Sequence, residues 1–330
     1  MKIARIQIGL ETRVGIVEGD PEGALVQPLD ASVDLDELLA ATPAERADLL
    51  LRTREGQPRP LDDVRLLAPV QPRTLRDYIT FEEHLEGALK GLGLPVHPAW
   101  YEQPVFYFTN TNAVIGPDDH VEVPPGCGRL DFEVEVAAVI GKPGKDLTPA
   151  EASQHIAGYT LFNDWSARDL MGPVMPVGLG PVKGKDFANT LGPWIVTADE
   201  LAPYRRDDRL DLEMYAELNG VPLPAGGDTL ANMAWSFEEM VAYASRGAQL
   251  RTGDVLASGT CGAGCLLEYW GQTGSDQPRS LQPGDVVTLV VEGIGSVSNP
   301  VVAGVEPVDI PKARVGQQRR TRPWHATATS

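Results

Sequence analysis

The pattern of apolar and polar positions divides the chain into many short strands and a few helices. Near the start, Ile3, Ile6 and Ile8, then residues 14–17 and 24–26, read as strands punctuated by Gly19, Asp20 and Pro21. Residues 34–39 and 43–54 carry helical patterns. In the second, Ala44, Leu49, Leu50 and Leu51 form an apolar stripe, with Glu45 in the first turn. A further helix is predicted over 81–92, ending at Gly91 and Gly93, and strand-like runs follow at 104–109, 113–115 and 119–123. The clearest strand spans 131–141, DFEVEVAAVIG. It alternates at first and is then apolar on both faces, as in a strand that enters an interior. Thr148, Pro149 and Glu151 open a helix over 148–155, followed by a strand at 158–163 and a Gly- and Pro-rich loop at 171–185. In the last third, strands are predicted at 191–197, 210–218, 254–258, 266–270 and 285–292. One helix, 236–249, starts with the capping box Ser236–Glu239. The expected class is α+β and β-dominated, with a boundary near residue 65.

Composition narrows the function classes. The chain has 330 residues, with 34 Gly and 28 Pro, which suits many turns between short strands better than a helical bundle. Against 28 Lys and Arg stand 46 Asp and Glu, a formal charge of −18. That excess argues against nucleic-acid or anionic-membrane partners, which call for clustered basic residues. Cys127, Cys261 and Cys265 are too few for a disulfide framework and suit a reducing compartment. The opening MKIARIQIGL alternates rather than forming a signal-peptide core, and no run has the apolar length of a membrane span. A cytoplasmic location is expected. Residues 311–330 carry Lys312, Arg314, Arg319, Arg320 and Arg322 without an acid, and read as a flexible tail or partner-contacting arm.

Candidate chemistry lies in the carboxylates. On the strand 131–141, Asp131, Glu133 and Glu135 fall on one face, where neighbouring acids either meet solvent or converge on a hard divalent cation. Asp164 ends another apolar strand, and Asp77 precedes the helix that carries His84. All-oxygen ligands suit Mg²⁺, Ca²⁺ or Mn²⁺ rather than Zn²⁺, and no His or Cys pair has zinc spacing. Cys261 and Cys265 read as buried thiols, and His84, among Glu82, Glu83 and Glu86, could equally be a solvated helix-face residue. His97, His120, His155 and His325 lie in turns, at element ends or in the tail. There is no G-x-S-x-G, P-loop or H-E-x-x-H motif.

In chain order, Asp77, His84, Glu133-Val134-Glu135, FNDWSARD at 162–169, Gly184-Lys185 and Leu267-Glu268 resemble the pattern of the fumarylacetoacetate hydrolase family. The resemblance covers roughly 68–306. It implies a mixed β-roll catalytic domain, taken as 66–310, behind a small N-terminal β-rich domain at 1–65, with 311–330 as the tail. It also implies a homodimer and one Mg²⁺, or Ca²⁺ or Mn²⁺, held by Asp77, Glu133, Glu135 and Asp164. The family chemistry is hydrolysis of a carbon–carbon bond in a β-diketo acid, as in aromatic-compound catabolism. Relatives decarboxylate, hydrate or isomerise 2-oxo acids.

Carried over by residue, His84 oriented by Glu268 would activate water and Lys185 would donate to the oxyanion. Arg168, Asn189, Thr260 and Lys90 are the expected substrate contacts. A Lewis acid in the cluster would polarise the carbonyl and stabilise an enolate. The chain departs from the pattern after DWSARD, where Leu170 to Met175 are apolar; at Asn189, where the family has threonine; and near the end of the His84 helix, where the family's basic residue has no aligned counterpart and Lys90 is the candidate substitute. Met171 and Met175 suit an apolar acyl group better than fumarate.

Overall fold

Residues 1–19, 23–90 and 93–313 are described by the computed structural model. The chain begins with strands β1 (Lys2–Ile8), β2 (Glu11–Glu18) and β3 (Leu25–Pro28). Helices α1 (Leu35–Ala40) and α2 (Pro43–Thr53) follow, the second opened by a Thr42–Glu45 capping box. The elements that carry the site come next: β4 (Leu75–Tyr78), α3 (Glu82–Lys90), β5 (Phe106–Phe108), β6 (Val134–Ile140), β7 (Ile156–Asp164) and β8 (Asn189–Thr197). The remainder adds β9 (Glu213–Leu218), α4 (Phe237–Ser245), β10 (Val255–Ala257), α5 (Leu266–Thr273), β11 (Val286–Val291) and β12 (Gly295–Val302). This is an α+β, β-dominated architecture.

One large sheet runs in the order β3-β2-β1-β8-β7-β6-β10-β4-β5, and β9-β11-β12 form the centre of a second. The strand β1 pairs antiparallel with β8, Ile3 opposite Ile195, so one sheet continues across the boundary expected near residue 65. On one face of the large sheet, Val134, Val136, Ala138, Leu161 and Leu256 pack with Met214, Leu289 and Val297 of the second sheet and with Met240 of α4. On the other, Ala137, Val139, Phe162, Leu75 and Val255 pack with Leu38, Leu39 and Leu50 of α1 and α2. Cover on both sides explains why β6 is apolar apart from Glu135. Among the described residues no helix is long and apolar enough to cross a membrane.

Three sequence expectations change. The strand 131–141 is interrupted: Leu130–Asp131 pairs with Ser166–Ala167, and β6 starts only at Val134. The stretch 266–270, expected as a strand, is the first part of helix α5. Its buried Leu266, Tyr269 and Trp270 have i, i+3, i+4 spacing, and Gly274 ends it in a left-handed conformation. A five-residue stretch, apolar except for Glu268, leaves strand and helix unresolved by periodicity. The strand β12 was not anticipated. Residues 314–330, most of the expected tail, lie outside the described residues.

What starts α5 is a distant residue. The Asp131 carboxylate accepts the N–H groups of Leu266 at 2.8 Å and Leu267 at 3.0 Å, and it also accepts from Arg168 Nε at 2.9 Å. The first two are donors that a helix leaves unpaired, and a carboxylate there suits the helix dipole. Asp131 is wholly buried. Removing it breaks a buried ion pair and strands two amides, so Asp131→Ala should cost about 3–5 kcal/mol of stability in urea unfolding. A loss below about 1 kcal/mol, the scale of an exposed pair, would contradict this brace.

Candidate functional site

Strand register gathers the carboxylates, because residues paired across a sheet share a face. Ala137 pairs with Ala257 and Ala257 with Asp77, while Glu135, two residues from Ala137, pairs with Phe162. Two residues beyond Phe162 lies Asp164, so Asp77, Glu135 and Asp164 share one face, with only alanine methyls between β6 and β4. Glu133 joins from the irregular step before β6, where its N–H donates to Asn163 Oδ1 at 3.0 Å. One oxygen of each of Asp77, Glu133, Glu135 and Asp164 lies within 4.8 Å of the others, and all four residues are buried. After β10 the chain turns at Gly259, with φ +82°, and the Gly259 N–H donates to Glu135 at 3.0 Å. A Cβ there would sit 2.5 Å from the Tyr78 carbonyl oxygen, so the turn requires glycine.

Four buried acids cannot all ionise without cationic charge. Burial, reinforced by repulsion from Glu135 and Asp164, holds Asp77 well above the usual carboxylate range. Burial with repulsion from Glu133 and Asp164 does the same to Glu135. For Glu133 burial also opposes ionisation, but Lys185 and Arg168 outweigh it and hold the group below its ordinary value. The Lys185 ammonium bonds to Glu133 and, at 2.5 Å, to Asp164; burial disfavours its charge, yet those two acids keep it protonated. Arg168 forms ion pairs at 2.8 Å with both Asp131 and Glu133. Two buried oxygens, Asp77 Oδ1 and Asp164 Oδ1, have no hydrogen-bond partner. Orphaned oxygens among four convergent carboxylates fit a hard divalent cation.

Next to this cluster stands a histidine–carboxylate pair. Helices α3 and α5 pack so that His84 Nδ1 lies 2.8 Å from Glu268 Oε1, both residues being buried. Glu268 Oε2 accepts the Ala263 N–H at 2.9 Å. Gly87, one turn after His84, leaves the space Glu268 occupies, since a Cβ there would meet its Cγ at 3.1 Å. Asp131 caps the helix that carries Glu268, and its partner Arg168 grips Glu133. The dyad and the cluster are therefore braced by one ionic network.

The expected substrate contacts fare differently. Arg168 is occupied by Asp131 and Glu133. Thr260 Oγ1 lies 3.4 Å from Glu135 Oε1. Asn189, buried opposite Asp164, donates to the Asn110 carbonyl at 3.2 Å. Lys90 is exposed in the last turn of α3, about 9 Å along the axis from His84 and on another face, and is not brought into the cluster. One group was missed: Tyr107, opposite Asp77 on β5, donates its hydroxyl to Asp164 at 2.5 Å. Burial and the nearby Asp164 push that phenol well above its ordinary pKa. The strand prediction at 104–109 contained it, but nothing in its local sequence set it apart.

Comparison with known proteins identifies relatives of this chain. Residues 75–302 match the family model for the fumarylacetoacetate (FAA) hydrolase C-terminal region, and residues 1–69 match one described as Rv2993c-like, N-terminal. The chain is 30% identical over 284 residues to fumarylacetoacetase of Oryza sativa subsp. japonica, covering 70% of this chain but only 66% of that one. It is 31% identical over 297 residues to protein Rv2993c of Mycobacterium tuberculosis, covering 89% of this chain and 100% of that one. Among solved structures, 5-carboxymethyl-2-hydroxymuconate delta-isomerase from Mycobacterium smegmatis matches with TM-score 0.68 and 29% identity, over 92% of this chain and 100% of that chain. Fumarylacetoacetate hydrolase from Exiguobacterium antarcticum matches with TM-score 0.69 and 28% identity, over the same shares.

Because Asp77 and Glu135 hold their protons above the usual range, a cation entering the cluster must displace protons. Calorimetry of Mg²⁺ binding in buffers of different ionisation enthalpy should show proton release, and affinity should fall as pH is lowered. Glu133→Ala should weaken binding by about tenfold or more. Equal affinity in wild type and variant would remove the cluster as a metal site.

Proposed function

The chain belongs to the fumarylacetoacetate hydrolase family, and from that premise we propose that it is a divalent-metal-dependent hydrolase of a β-diketo acid. The substrate is an acylpyruvate or fumarylacetoacetate-like compound, cleaved at a carbon–carbon bond in aromatic-compound catabolism. One observation carries the reading: a buried His84–Glu268 dyad braced, through Asp131 and Arg168, to a cluster of four carboxylates. Within it, residues 66–310 serve as the catalytic domain and 1–65 as the small N-terminal domain.

Mg²⁺, or Ca²⁺ or Mn²⁺, held by Asp77, Glu133, Glu135 and Asp164 would supply Lewis acidity toward the substrate oxygens. An ionised Glu268 on Nδ1 fixes the His84 tautomer, so Nδ1 carries the proton and Nε2 the lone pair. Nε2 then takes a proton from the attacking water, and Glu268 stabilises the imidazolium formed. Lys185, kept charged between Glu133 and Asp164, supplies N–H donors to the developing oxyanion. Arg168 and Thr260 act through the carboxylates they hold, and Asn189 through the Asn110 carbonyl and the Thr109 hydroxyl, which donates to the Lys185 carbonyl. Lys90 is left a contact only at the outer rim. The loop after the DWSARD segment exposes Met175, Val177, Leu179 and Val182, apolar surface for an acyl chain or for the partner of a homodimer.

A second reading, a decarboxylase, hydratase or isomerase of a 2-oxo acid on the same site, is favoured by the match to the Mycobacterium smegmatis delta-isomerase along that chain's full length. The Glu268-oriented histidine favours hydrolysis.

Incubation with acetylpyruvate and fumarylpyruvate should give Mg²⁺-dependent loss of enol absorbance with a free acid and pyruvate as products. His84→Asn should lower kcat by about 10²–10⁴-fold and leave Mg²⁺ affinity unchanged. Carbon dioxide or a shifted double bond without acyl cleavage would select the second reading. Absence of metal-dependent turnover of any diketo acid would dismiss the first.

A further inference from the structure

A second group of metal-ligating atoms shares no residue with the carboxylate cluster. Cys265, the residue at the start of α5, places Sγ 3.6 Å from Glu268 Oε1 and 3.8 Å from His84 Nδ1, and those two atoms are 2.8 Å apart. All three residues are buried. Zinc with Zn–S near 2.3 Å and Zn–N or Zn–O near 2.0–2.1 Å sets its donors about 3.3–3.6 Å apart in a tetrahedron. The three atoms already form nearly one face of it, and only the nitrogen–oxygen edge must open. Thiolate, imidazole and carboxylate, one of each, is a zinc-type donor set, unlike the all-oxygen cluster. The sequence hides it, because the ligands come from α3 and from an i, i+3 pair on α5 rather than from a spaced motif.

We propose that Cys265, His84 and Glu268 form a zinc-binding site whose occupation switches the enzyme off. Burial pushes the thiol pKa up, so an incoming metal must displace its proton. On binding, the thiol proton leaves to solvent, the sulfur and Nδ1 lone pairs go to zinc, and the imidazole proton is relocated from Nδ1 to Nε2. Nε2 then bears a hydrogen and cannot accept one from water. The inhibitory half of the proposal thus rests on the reading of His84 given above, whereas the site itself does not.

The test uses the full chain with Mg²⁺ in excess, so that the carboxylate cluster is filled. Zinc uptake is measured by competition with a chromophoric chelator, and Co²⁺ serves as a spectroscopic substitute. One equivalent of zinc is expected, with affinity at least about tenfold weaker in Cys265→Ser and unchanged in Cys261→Ser. A sulfur-to-cobalt charge-transfer band is expected in wild type. It should persist in the double variant Cys127→Ser/Cys261→Ser, which keeps Cys265 alone and decides the matter even if Cys265→Ser fails to fold. No zinc uptake, uptake indifferent to Cys265→Ser, or no cobalt band in the double variant overturns the site. Zinc bound at Cys265 with diketo-acid turnover unchanged overturns the inhibition, and with it His84 as the base.

Discussion

Four carboxylates brought within 4.8 Å of one another, away from water, repel strongly enough that the surrounding structure must answer them. Lys185 and Arg168 are the answer the chain itself provides, and both are buried to do it. Two cations against four acids leave the cluster short of neutrality. That shortfall shows in the raised pKa of Asp77 and Glu135 and in unpartnered oxygens on Asp77 and Asp164. The same imbalance that would destabilise an ordinary core prepares this one for a divalent cation.

The constraint extends to the fold through Asp131. Its carboxylate starts the helix that carries Glu268 and pairs with the arginine that holds Glu133, so the His84–Glu268 pair and the cluster keep a fixed relation. An interruption of the strand between Asp131 and Val134 makes this possible. A continuous strand would have aimed Asp131, Glu133 and Glu135 along one face. The break gives Asp131 a separate task, at the cost of regular hydrogen bonding over two residues.

Relatives with this fold bear names of both a hydrolase and an isomerase. A cation-holding carboxylate face is chemistry that either reaction can use, so what separates them must lie in the acid–base groups and loops around it. Here these are the His84–Glu268 dyad, the Tyr107 hydroxyl on Asp164, and the apolar loop after Arg168. The Cys265 thiol beside that dyad adds a soft donor where the rest of the site is oxygen and nitrogen.

Sequence by itself determined the strand framework, the capped helix starts at Thr148 and Ser236, and the identity of the clustered acids. These depend on local periodicity, caps and a motif order that survive without knowledge of the fold. It misread 266–270, because five residues, four of them apolar, carry no decisive period and the carboxylate that starts the helix lies 135 positions away. The roles of Arg168, Tyr107 and Cys265 were likewise decided only by tertiary structure. An arginine is a substrate contact or a brace according to which acids the fold sets beside it, and a tyrosine or a thiol gains chemistry only from neighbours that no spacing along the chain records.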